Sequence, residues 1–159
     1  MSPEVSTFCV SRDGRLILVA TAQSQANIFI WEVTTNVQLG RVTLQHIPII
    51  LHIKLAHDNK HVLLVGLTKE YFACIMMLNW TTQKILVVRQ LLHSLPYKIK
   101  DIDFYPGSTR NFVTAGIQHM CFWRLSGTNL EYQVGELTIP RSYTNMGGGA
   151  YQQQQVGGS

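Results

Sequence analysis

Apolar residues in this chain come in short bursts broken by turn-forming residues, without the three-and-four spacing of an amphipathic helix. Phe8-Cys9-Val10 leads into Arg12-Asp13-Gly14-Arg15, then Leu16 to Ala20, a polar loop at Gln23-Ser24-Gln25, Ile28 to Val33, the turn Thr34-Thr35-Asn36 and Val37 to Thr43. The order recurs. His57-Asp58-Asn59-Lys60 precedes His61 to Gly66 and Ile75-Met76-Met77-Leu78, and Tyr105-Pro106-Gly107-Ser108 precedes Phe112 to Gly116 and Met120-Cys121-Phe122-Trp123. Asp13 to Asp58 and Trp31 to Leu78 both give a period in the mid-forties, the length of a four-stranded blade rather than of a helical repeat.

The pattern predicts an all-β chain: a partial propeller of three four-stranded antiparallel blades at about 6–44, 47–93 and 96–140, within residues 1–141. Ile28 to Trp31, Cys74 to Leu78 and Met120 to Trp123 fall as the third strands, with matching turns at Asp13, Asp58 and Gly107. In the third unit, Ile99, Asp101 and Asp103 alternate with Lys100, Ile102 and Phe104, which predicts two opposite faces. A β-sandwich with two core tryptophans is the rival that shares these strand signals. Residues 142–159, with Gly147-Gly148-Gly149 and Gln152 to Gln155, carry too few large apolar groups to offset ordering entropy and read as a flexible tail.

Composition narrows the function classes. At 159 residues, 46% hydrophobic and 14% charged, the chain has enough apolar surface for a core. Its net charge of +4 is spread over scattered Lys and Arg, without the basic run of a nucleic-acid arm. No apolar run approaches the roughly 18 residues of a membrane span, and Met1-Ser2-Pro3-Glu4-Val5 lacks the features of a signal peptide. Cys9, Cys74 and Cys121 are far apart in apolar stretches and read as buried thiols of a reducing compartment, so a cytoplasmic or cytoskeletal location is expected.

The string from Asn111 to Leu125, NFVTAGIQHMCFWRL, resembles a blade of the first, atypical propeller of large cytoskeletal WD-repeat scaffolds. These are the echinoderm microtubule-associated-protein-like, centrosomal kinase-binding and flagella- or cilia-associated WD-repeat proteins. Asp13-Gly14-Arg15 through Trp31-Glu32 and Leu78-Asn79-Trp80 are similar to the same region, and coverage is about residues 6 to 140. A WD-repeat blade ties a strand-end tryptophan to a Ser or Thr, a histidine and a turn aspartate. The resemblance therefore implies structural roles for Trp31, Leu78 (in place of a tryptophan), Trp123, Asp13, Asp58, Gly107 and His119, the last expected to bond within its own blade.

Catalytic and metal chemistry find little footing. His57 and His61 bracket a hairpin turn and are expected to point apart, Asp101 and Asp103 are expected on a charged edge beside Lys98 and Lys100, and no phosphate-binding loop or nucleophile elbow is present. No cofactor or metal is implied. The expectation is a non-enzymatic protein-interaction scaffold in a microtubule-based assembly (axoneme, basal body or centrosome), with tubulin or axonemal and centrosomal proteins as partners and no nucleic acid or membrane. The alternative is a signalling adaptor binding a kinase or peptide on the propeller face. Because propellers close with about four to eight blades, three leave apolar ends that call for further blades of a longer chain, a second copy or partner proteins.

Overall fold

The structure, a computed structural model, describes residues 2–91 and 99–136. Twelve strands and no helix lie among them. β1 (Glu4–Val10), β2 (Leu16–Ala22), β3 (Ala26–Glu32) and β4 (Val37–Leu44) form the first antiparallel sheet in sequence order. β5 (Ile49–Leu55), β6 (His61–Leu67), β7 (Ala73–Asn79) and β8 (Lys84–Leu91) form the second, and β9 (Ile99–Phe104), β10 (Asn111–Gly116), β11 (His119–Ser126) and β12 (Asn129–Val134) the third. The three expected third strands lie within β3, β7 and β11. The 142–159 tail and the expected blade ends at 92–93, 96–98 and 137–140 fall outside the described residues.

Period-2 patterning sets the register. In β2 and β3, Leu16, Leu18, Ala20, Ile28 and Ile30 are buried on one face while Ile17, Val19, Phe29 and Trp31 share the other. The middle sheet is covered on both sides, and every residue of β6 from Val62 to Gly66 is buried. One face of it (Val62, Leu64, Cys74, Met76, Leu78) packs on the first sheet, and the other (Leu63, Val65, Ile75, Met77) on Phe112, Cys121 and Trp123 of the third. The leading strands β1, β5 and β9 gather at the inner side, while β4, β8 and β12 form the outer edges.

The repeat extends to its irregularities. Each β1/β2-type pairing carries a bulge, at Val5/Thr7, Ile50/His52 and Ala115/Gly116. That bulge corrects the alternation expected in β9: it shifts the register at Lys100, so Ile99 is buried with Ile102 and Phe104 rather than sharing a face with Asp101 and Asp103. The hairpins between third and fourth strands each turn on one left-handed residue, Asn36, Gln83 or Gly127.

Two glycines are dictated by close approach. A Cβ on Gly40 of β4 would lie 3.1 Å from the Trp80 ring, which packs across from the second blade. A Cβ on Gly66 would lie 2.7 Å from Ile47 Cγ2 and 3.0 Å from the Ile49 carbonyl oxygen, so backbone must move. Gly66→Ala is expected to cost about 1–3 kcal/mol by overpacking, read as a lower urea midpoint with unchanged slope.

Candidate functional site

The turns between first and second strands share one rim of the molecule and a common chemistry. Asp13 Oδ1 accepts the Ser11 hydroxyl at 2.6 Å and the Arg15 amide at 3.0 Å, while its Oδ2 accepts Asn59 Nδ2 at 2.7 Å from the second blade. These donors, the Ser11 hydroxyl first, hold the Asp13 carboxyl down at about 2. In the second blade Asp58 Oδ1 accepts the amides of Lys60 and His61, and its Oδ2 accepts His61 Nδ1 at 2.5 Å. Burial pushes the Asp58 carboxyl up, but those N–H donors and the imidazole outweigh it, leaving the pKa below the usual range.

His61 thus faces Asp58, whereas His57 is exposed; among the described residues no three His, Cys, Asp or Glu side chains are grouped as a metal site. The third blade differs from expectation in detail. Gly107 supplies the left-handed backbone, φ +70°, while the capping acceptor is Ser108, whose Oγ takes the amides of Arg110 and Asn111. Its loop is one residue longer than the other two, and Ser108 does there what Asp13 and Asp58 do.

At the other end of the third blade Trp123 Nε1 donates to Thr114 Oγ1 at 2.9 Å, and the same hydroxyl lies 2.8 Å from His119 Nε2. A hydroxyl that accepts one hydrogen still has its own to give, so Thr114 bridges indole and imidazole without leaving a buried polar atom unmet. Trp123 is 4% exposed, stacks on Phe112 with centroids 5.8 Å apart, and lies 5.1 Å from Tyr132. Arg89 of the second blade caps both rings, 5.6 and 5.1 Å from their centroids, and donates to the Leu130 carbonyl at 2.7 Å. Neither Thr114 nor Arg89 carries a motif in the sequence; the one signal is the place of Thr114 on the facing strand, nine residues before the tryptophan.

The equivalent positions behave differently. Leu78 is buried without any polar tie, and the nearby Trp80 instead donates Nε1–H to the Asn59 carbonyl at 2.7 Å. Trp31, expected as a structural blade residue, is half-buried: among the described residues no neighbouring sheet lies over its face of the first sheet.

The gathered leading strands enclose an open cleft of about 240 Å³ lined by Thr7, Cys9, His52, Lys54 and Asp101 among others. His52 Nε2 donates to the Ile99 carbonyl at 3.1 Å, and Arg12 reaches across to the Phe104 carbonyl at 3.4 Å and Asp103 at 3.8 Å. Burial pushes the Cys9 thiol up to about 11 despite Lys54, so it is protonated and a poor nucleophile at neutral pH. Asp101 and Asp103 are both exposed. Asp103 finds Arg12, and Lys98 lies outside the described residues.

The most exposed aromatic among the described residues is Tyr71, at 78%, in the turn between β6 and β7. That turn is well tied: Thr68 and Tyr71 donate amides to Phe72 O and Thr68 O, both at 2.9 Å, and Thr68 Oγ1 accepts the Phe72 amide at 3.2 Å. Tyr71 sits at φ +65°, a costly conformation for a bulky residue, and projects beside Lys69 and Glu70.

Trp123→Ala is expected to cost about 3–5 kcal/mol, and Trp31→Ala clearly less, because only the first indole is enclosed; equilibrium urea unfolding of the two variants checks the order. For Asp13, a folded pKa of about 2 against 3.8 ordinarily means its turn contributes stability that is complete above pH 3.8 and is lost as pH falls through about 2. Carbon-13 NMR titration of the carboxyl should show this midpoint, and Asn59→Ala or Ser11→Ala should move it up.

No protein-family profile matches the chain. Solved structures do resemble it. The β-propeller domain of Cps50 (Swd1) from Myceliophteria thermophila superposes with a TM-score of 0.67 at 11% identity, over 93% of this chain and 42% of that one. The WD40 repeats of RRP9 give 0.64 at 14% identity over 86% and 40%, and the C-terminal WD40 domain of Sif2 gives 0.60 at 16% over 84% and 35%. The chain therefore spans about two fifths of the length of these propellers. At such identities the likeness establishes the fold: three consecutive blades of a WD40-type β-propeller.

Proposed function

We propose that this chain is a non-enzymatic protein-interaction scaffold and that it works in a microtubule-based assembly of the cytoplasm, such as an axoneme, basal body or centrosome. The observation that carries the interaction reading is the projection of Tyr71 from the turn at residues 68–72. A bulky ring held out in solvent by three hydrogen bonds and a left-handed backbone is pre-organised to anchor a partner at little entropic cost. Cys9, buried and protonated, leaves the cleft between the leading strands without an activated thiol. The cytoskeletal part rests on the resemblance of residues 111–125 to a blade of microtubule-associated and ciliary WD-repeat scaffolds. Tubulin or axonemal and centrosomal proteins are the corresponding partners.

Lys69, two residues before Tyr71 and next to Glu70, favours a second reading, an adaptor that takes a kinase or peptide at the Tyr71 turn. Co-sedimentation with taxol-stabilised microtubules separates the two. The scaffold reading expects saturable pelleting that Tyr71→Ala weakens about tenfold or more, the loss of a hot-spot anchor. An absence of pelleting would contradict the cytoskeletal role.

A further inference from the structure

The repeat places the same six positions on one face of each blade, and in the second and third blades all of them are buried. Ile53, Leu55, Val62, Leu64, Met76 and Leu78 lie under the first sheet, and Ile102, Phe104, Phe112, Thr114, Cys121 and Trp123 lie under the second. In the first blade the set is Phe8, Val10, Ile17, Val19, Phe29 and Trp31, joined across the strands by the pairs Phe8–Val19, Val10–Ile17, Ile17–Trp31 and Val19–Phe29. All six are apolar, yet Phe8 is 61% and Val10 53% exposed and the others are half-buried. The opposite face shows the converse. Leu18, Ala20, Ile28 and Ile30 in the first blade and Leu63, Val65, Ile75 and Met77 in the second are fully buried, whereas Val113, Ala115, Met120 and Phe122 in the third remain partly open.

One end of the chain therefore carries the donor half of a blade junction, and the other end carries the acceptor half. Both keep the apolar register of the two junctions formed inside the chain. We propose that two copies of this chain associate head to tail, the Val113–Phe122 face of each seated on the Phe8–Trp31 face of the other. A pair closes both ends at once and makes six blades, within the range of about four to eight in which propellers close; a third copy would exceed it. The end-to-end contact continues an interface the chain already makes twice, and it leaves neither apolar face in water. The inference rests on the fold and not on the cytoskeletal role, so microtubule binding and self-association succeed or fail separately.

Sedimentation equilibrium of the 159-residue chain at micromolar concentration is the test, with Phe8→Asp and Phe122→Asp as end-face variants; both residues are exposed enough for the blades to fold, which circular dichroism checks. The wild-type chain is expected at twice its 18.0 kDa mass, each variant alone at 18.0 kDa, and an equimolar mixture of the two variants again at the doubled mass. In that mixture one of the two junctions is formed by wild-type faces on both sides. A monomeric wild-type chain, an open series of larger species, or a dimer abolished by only one of the two substitutions would overturn the proposal.

Discussion

Covering one sheet's apolar face with the next sheet is the constraint on which this molecule depends. A lone four-stranded sheet with side chains such as those of β6 and β7, apolar on both faces, has no stable place in water. The middle blade satisfies the requirement on both sides, and its neighbours satisfy it on one. The polar ties are placed where they secure that stacking: Asn59 to Asp13 and Gln83 to the Arg41 carbonyl join the first two blades, and Arg89 over Trp123 joins the last two. Arg12, reaching to Phe104 and Asp103, links first to third at the inner side.

The same constraint explains why equivalent residues have unequal fates. Trp123 sits beneath a sheet and is locked by Thr114 and His119; Leu78 sits beneath a sheet and needs no lock; Trp31 has the same register and, among the described residues, no sheet over it. What decides burial here is the neighbouring blade, not the residue type.

That is also the measure of what could be read from the chain. Strand positions and the turns at Asp13, Asp58, Asn36 and Gln83 were legible because period-2 patterning and turn chemistry are local properties. The role of His119 was legible once a tryptophan stood four residues on. That Trp31 is half-buried and Trp123 enclosed was not legible, since it depends on a neighbouring sheet that the local sequence does not describe. The capping role of Ser108 is hidden beside Gly107 because its loop holds one extra residue, and the face of Ile99 is hidden because a bulge breaks strict alternation. Arg89 and the Gly40–Trp80 contact are meetings between blades, for which a single strand's pattern carries no mark.

Native-state hydrogen exchange tests the face-covering account most directly, because it ranks the opening free energies of the sheets within one molecule. Amides of β6 and β7, enclosed on both faces, should exchange last and only through global unfolding, with β2, β3, β10 and β11 released earlier. Protection in the first or third sheet that outlasts the middle one would contradict the claim that blade-on-blade burial holds this fold together.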